Sequence, residues 1–123
     1  MNKTILLVDD DDAFRDAVKD ILELEGFKII CAENGKTALT ELDNENLDLV
    51  ITDILMPESD GIELISKIKE LRSDLKVIGM TGGGTIASAN KLKTSFSGFY
   101  FETILTKPFE DSELLEAINK AIT

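Results

Sequence analysis

The chain contains no histidine. That absence excludes a Ser-His-Asp or Cys-His triad and every metal site built on imidazole. Chemistry must then rest on carboxylates, lysines and hydroxyls. Cysteine is nearly missing too: Cys31 stands alone in an apolar stretch and reads as a reduced core thiol rather than part of a disulfide framework. Positive charge is scarce, with 13 Lys and Arg against 24 Asp and Glu, a net charge of −11. A surface that negative repels phosphate backbones and anionic lipid, so neither nucleic-acid binding by this chain alone nor membrane binding is expected. Long apolar runs are also lacking. The first, Ile5–Val8, stops at Asp9, too short for a membrane span or a signal peptide. A cytoplasmic location is the expectation that fits.

What is present describes a globular chain. Of 123 residues, 43% are apolar and 30% charged, which suits one domain, residues 1–123, that buries about two thirds of its unfolded surface. Its organising stretch runs from Asp48 to Gly61. Leu49-Val50-Ile51 is a β-branched run of the kind that fills a central strand buried on both faces. It leads to Asp53, and Met56-Pro57 turns the chain before Asp60-Gly61 opens a helix with a capping-box-like Glu63.

The rest of the chain repeats that alternation. Thr4–Val8 reads as a strand that ends in four aspartates, Asp9 to Asp12. Phe14, Ala17, Val18, Ile21 and Leu22 recur at helical spacing, and Gly26 closes that helix. Lys28–Ala32 is a second strand, and Asn34-Gly35 starts a helix through Ala38, Leu39 and Leu42. Leu47–Thr52 is the third strand, followed by a helix expected to turn Ile62, Ile65, Ile68 and Leu71 inward. Lys76–Met80 is the fourth strand, with Thr81 at its end. Gly82 to Gly84 reads as a flexible hinge before a weak helix over 85–95. Glu102–Thr106 is the fifth strand, and Glu110 to Glu113 opens a last helix expected to bury Leu114, Leu115, Ile118 and Ile122.

Strands alternating with helices call for an α/β fold with a parallel sheet covered on both faces. Five such units fit a doubly wound sheet in the order 2-1-3-4-5, a three-layer sandwich with its ligand site where strands 1 and 3 adjoin. Asp9, Asp10, Asp53, Thr81 and Lys107 then converge on one rim. Three carboxylates at about 4 Å repel by roughly 4 kcal/mol per pair at an effective dielectric near 20. A hard divalent cation, Mg²⁺ or Mn²⁺, removes that repulsion and suits an all-oxygen site. Lys107 and the Thr81 hydroxyl can meet phosphoryl oxygens. The implied chemistry is a carboxylate that accepts a phosphoryl group as an aspartyl phosphate.

The same residues carry a family likeness. Leu-Val-Asp-Asp (Leu7 to Asp10), Ile-Thr-Asp-Ile-Leu-Met-Pro (Ile51 to Pro57), Asp60-Gly61, Met80-Thr81 and Thr-Lys-Pro-Phe (Thr106 to Phe109) resemble the CheY-like receiver domain of bacterial two-component response regulators. The likeness spans nearly the whole chain. It implies that Asp53 is the phosphoacceptor, fed by a histidine kinase or phosphotransfer protein. It also implies that Asp10, Asp53 and the backbone carbonyl of Leu55 bind Mg²⁺ directly, with Asp9 acting largely through water. Thr81 and Lys107 would hold the phosphoryl group and report it to a downstream protein target. Such a domain is no enzyme beyond its own phosphorylation and dephosphorylation, and acts as a monomer or a phosphorylation-dependent dimer. Asp11 and Asp12 match no metal position and read as the solvated cap of the first helix.

Two departures stand out. Three residues before Lys107 the family usually carries a switch aromatic, and here the residue is Ile104. Where small residues are common before strand 5, this chain has Phe99, Tyr100 and Phe101. Phe96 and Phe101 read as core or partner surface. Phe99 and Tyr100 are expected to form part of an output face that phosphorylation re-sets through Gly82 to Ser95. The alternative from another class is a Mg²⁺-dependent phosphohydrolase with an aspartyl-phosphate intermediate. Such enzymes usually place nucleophile and acid-base aspartate two apart on strand 1, whereas Asp53 stands alone on strand 3.

Overall fold

A computed structural model of the chain describes residues 3–43, 46–54, 61–82 and 101–122. Five strands and four helices are found among them: β1 (Thr4–Val8), α1 (Asp12–Leu24), β2 (Lys28–Ala32), α2 (Gly35–Glu41), β3 (Leu47–Asp53), α3 (Gly61–Leu71), β4 (Lys76–Thr81), β5 (Thr103–Thr106) and α4 (Asp111–Ile122). All strand pairs are parallel, and the order is β2-β1-β3-β4-β5. This is the doubly wound sheet expected from the sequence. The helix expected over 85–95 lies outside the described residues, as do Phe96, Phe99 and Tyr100.

Strand alternation splits the apolar residues into two cores, one on each face of the sheet. Leu6 and Val8 of β1, with Val50 of β3, face α2 and α3, where Ala38, Leu64, Ile65 and Ile68 meet them. Ile5, Leu7, Leu49 and Ile51 face α1 and α4, against Val18, Leu22, Leu114 and Ile118. Among the described residues no helix is long and apolar enough to cross a membrane.

Helix ends follow local chemistry. The Asp11 side chain caps α1 by accepting from the Phe14 amide at 3.1 Å. Gly26 closes the helix at φ 95°, with Gly26 N–H donating to the Glu23 carbonyl and Phe27 N–H to that of Leu22. That pair of bonds is a Schellman motif, and its left-handed residue favours glycine. Asn34 caps α2 through the Thr37 amide at 2.8 Å. Glu113 returns a bond to the Glu110 amide at 3.1 Å, the reciprocal half of a capping box at α4.

Burial along the helices departs from the expected stripes at Leu71, Leu115 and Ile122. Leu71 is 64% exposed, because it ends α3 and the core place beyond the helix goes to Leu75 after the turn. Ala17 is exposed; the buried stripe of α1 runs through Val18 and Leu22. On α4 the buried stripe is Leu114, Ala117, Ile118 and Ala121, which leaves Leu115 and Ile122 half-buried on its flanks. Cys31 is free and half-buried on the edge strand β2, packed against the α1 side. Burial pushes its thiol above the usual range despite the nearby Lys19 and Arg15.

Candidate functional site

The carboxyl ends of β1 and β3 lie side by side, which is where the order of the sheet reverses. Asp9 follows β1 and Asp53 ends β3, and alternation continues their side chains on the α1–α4 side, in phase with Leu7 and Ile51. Lys107 follows β5 in phase with Leu105 of the same core. The three meet. Asp9 is 0% exposed, and its Oδ2 accepts from Lys107 Nζ at 2.9 Å. Its Oδ1 accepts from the Asp11 amide at 2.9 Å. Asp53, 7% exposed, accepts from the same ammonium at 3.3 Å through Oδ2. Asp10 is exposed beside them, and carboxylate oxygens of Asp9, Asp10 and Asp53 all lie within 4.8 Å of one another.

The backbone around these residues is tightly held. Ile54 N–H donates to the Met80 carbonyl at 2.8 Å, which fixes the chain directly after Asp53. Lys107 N–H donates to the Thr81 carbonyl at 2.7 Å, so the lysine is registered on the end of β4. Thr81 is buried on β4, opposite Thr106 in register. Arg15 donates to the Asp9 carbonyl at 2.6 Å and to the Asp12 carboxylate at 2.6 Å, tying the first turn of α1 to the end of β1. Asp11 and Asp12 are exposed at that helix start, as a solvated cap requires.

Lys107 has surroundings that its charge alone does not explain. Burial pulls its pKa down, but the hydrogen bond to Asp9 and the charges of Asp53 and Asp9 outweigh this and hold it above the ordinary lysine value. Its Nζ sits over the Phe14 ring, 4.1 Å from the centroid. Phe14 in turn meets Phe109 edge to face, with centroids 5.9 Å apart and planes at 87°. The lysine stem runs past Gly82, where a Cβ would fall 2.7 Å from Lys107 Cβ. The Lys107-Pro108 peptide is cis.

The donor set is three carboxylates with no nitrogen or sulfur, the set that a hard divalent cation takes. One ammonium offsets three carboxylates, which leaves the cluster a negative surplus suited to such an ion. The residues present therefore fit Mg²⁺ or Mn²⁺. Sequence reading brings Asp9, Asp10, Asp53, Thr81 and Lys107 to one rim, and the structure places all five there. Leu55, with Met56-Pro57, lies outside the described residues. Phe14 and Gly82 are what sequence reading assigns otherwise, to a helix's core face and to a hinge. Their contacts with Lys107 depend on how α1 and β4 pack against the end of β5, which no local pattern encodes.

Comparison with known proteins decides the family. Residues 5–119 match the family model of the response regulator receiver domain. The chain is a response regulator receiver domain. This receiver is 35% identical to the response regulator receiver protein CpdR of Brucella abortus, over 98% of the chain and 97% of that protein. It is 34% identical to the DNA-binding transcriptional regulator NtrC of Azospirillum brasilense over 97% of the chain, but spans only 24% of that protein. Among solved structures, the receiver superposes on response regulator TrrA from Thermotoga maritima, in complex with Mg²⁺-BeF, with a TM-score of 0.83 and 34% identity. That match covers 97% of this receiver and 98% of TrrA. The family is regulatory and belongs to two-component signalling, where receivers interact with histidine kinases or phosphotransfer proteins and with downstream targets.

Proposed function

We propose that this receiver, with residues 1–123 as one functional unit, takes a phosphoryl group onto Asp53 from a histidine kinase or phosphotransfer protein. The supporting observation is the setting of Asp53: a carboxylate at the rim, 7% exposed, 3.3 Å from the Lys107 ammonium and within 4.8 Å of two further carboxylates. In the transfer, the bond between phosphorus and the donor's imidazole nitrogen breaks and a bond from phosphorus to an Asp53 oxygen forms. Asp9, Asp10 and Asp53 would hold Mg²⁺, together with the Leu55 carbonyl, which lies outside the described residues. The ion's charge would offset that of the incoming phosphoryl oxygens.

The chain's own groups do the rest. Lys107 carries a fixed positive charge to the same oxygens, and Thr81 adds a hydroxyl at the end of β4. With Ile104 in place of a ring, the change at Thr81 passes to Gly82 through backbone and on to a surface that docks a downstream protein. The receiver acts in the cytoplasm, as a monomer or a phosphorylation-dependent dimer. Its only catalysis is of its own phosphorylation and dephosphorylation.

Incubation with a small phosphodonor and Mg²⁺ should add one phosphoryl group to the intact protein, and Asp53→Asn should abolish the gain in mass. Peptide mapping that located the group on any other residue would refute the assignment.

A further inference from the structure

Lys107 is held from two chemically different sides. On one side are the carboxylates of Asp9 and Asp53, at 2.9 Å and 3.3 Å. On the other is the Phe14 ring, its centroid 4.1 Å from the ammonium. An ammonium over an aromatic face is attracted by the ring quadrupole within about 6 Å. Phe14 is itself held at two points, its backbone and its ring. The Phe14 amide donates to Asp11 at the start of α1, and Phe109 abuts the ring edge to face at 5.9 Å. Phe109 lies two residues beyond Lys107, so the lysine and its ring support arrive on the same segment.

The two sides respond differently to a cation. Carboxylate oxygens are ligands for a hard divalent ion, and one that binds them competes directly with the lysine. A phenyl face offers such an ion no lone pair. Whatever takes the carboxylates, the ring contact stays available to Lys107.

We infer that Phe14 is a positioning residue for Lys107: its ring face keeps the ammonium beside Asp53 when the Asp9 and Asp53 carboxylates are engaged elsewhere. The inference rests on the reading of Asp53 as phosphoacceptor. In this scheme Phe14 acts only through Lys107.

Two measurements test it. The first needs no phosphorylation. Ring current should shift the Lys107 ε-methylene protons upfield in the NMR spectrum of the wild type, and saturating Mg²⁺ should leave that shift in place. Phe14→Leu should remove the shift, whereas Phe14→Tyr should keep it. Loss of the shift in the wild type on adding Mg²⁺ would overturn the inference.

The second is a double-mutant cycle on the rate of phosphorylation by a small phosphodonor. Phe14→Leu should slow the wild type by about threefold to fivefold, and Phe14→Tyr should restore the rate. In a Lys107→Met background, Phe14→Leu should change the rate less than twofold. Equal slowing in both backgrounds would show that Phe14 acts by packing alone and would overturn the inference. If the wild type took up no phosphoryl group, the phosphoacceptor reading would fall, while the NMR shift would still decide whether Phe14 holds Lys107.

Discussion

Asp9 shares its carboxylate between the Lys107 ammonium and the Asp11 amide, whereas Asp10 stands exposed beside it and brings a further negative charge within 4.8 Å of Asp9 and Asp53. Without a cation, that charge opposes folding by repulsion at short range. Asp10→Asn should therefore raise the metal-free melting temperature, on the order of 3 °C for a chain this size, while abolishing phosphorylation. Saturating Mg²⁺ should stabilise the wild type by mass action and leave the variant almost unmoved. A melting temperature that ignores Mg²⁺ in both proteins would count against a cation site at this rim. At this scale the sequence reveals the charged residues, because each follows a recognisable strand. Phe14 escapes it, since helical spacing assigns the ring to a core face. Its contact with Lys107 depends on the packing of two elements from opposite ends of the chain.

At the scale of elements, β4 and β5 are fitted to one another by an exchange of size. Gly79 on β4 has no side chain, and a Cβ there would lie 2.8 Å from both Phe101 Cε1 and Ile54 Cδ1. Phe101, 4% exposed, fills that space, just ahead of β5. Gly79 pairs with Ile104 in register, so the ring missing at Ile104 has a counterpart three residues earlier, in the same core cluster as Ile54, the residue that follows Asp53. Phe101→Ala should destabilise the fold by about 3–5 kcal/mol through the cavity it leaves. Gly79→Ala should cost about 1–3 kcal/mol by overpacking. Combining Gly79→Ala with Phe101→Leu should cost clearly less than the sum of the two single changes, read from urea denaturation. Strict additivity would show that the two positions do not share the space. Strand order and helix placement are legible beforehand because period and turn signals are local. The burial of Phe101 is not, because a run of aromatics does not say which ring the opposite strand has left room for. Leu71 escapes for a related reason: helical periodicity continues to the end of α3, but the sheet beneath it does not.

Across the whole molecule, a net charge of −11 draws cations of every kind toward the surface, yet the rim already holds one that cannot diffuse away. Lys107 and Asp9 are 98 positions apart in sequence, and the fold brings them to 2.9 Å. Lys107→Met should therefore tighten Mg²⁺ binding several-fold, measured by titration, even as phosphorylation slows; weaker binding in that variant would show that the lysine aids the ion instead of opposing it. Adding salt screens the attraction between the protein and Mg²⁺ in solution. The local concentration of the tethered ammonium is set by chain geometry and does not change with the medium. Mg²⁺ loading of this receiver is thus an exchange between a dissolved ion and a built-in one, and its midpoint should climb with ionic strength less steeply than that of the Lys107→Met variant at low salt, where the tethered competitor outweighs the diffuse ones and the variant's site carries one more uncompensated charge.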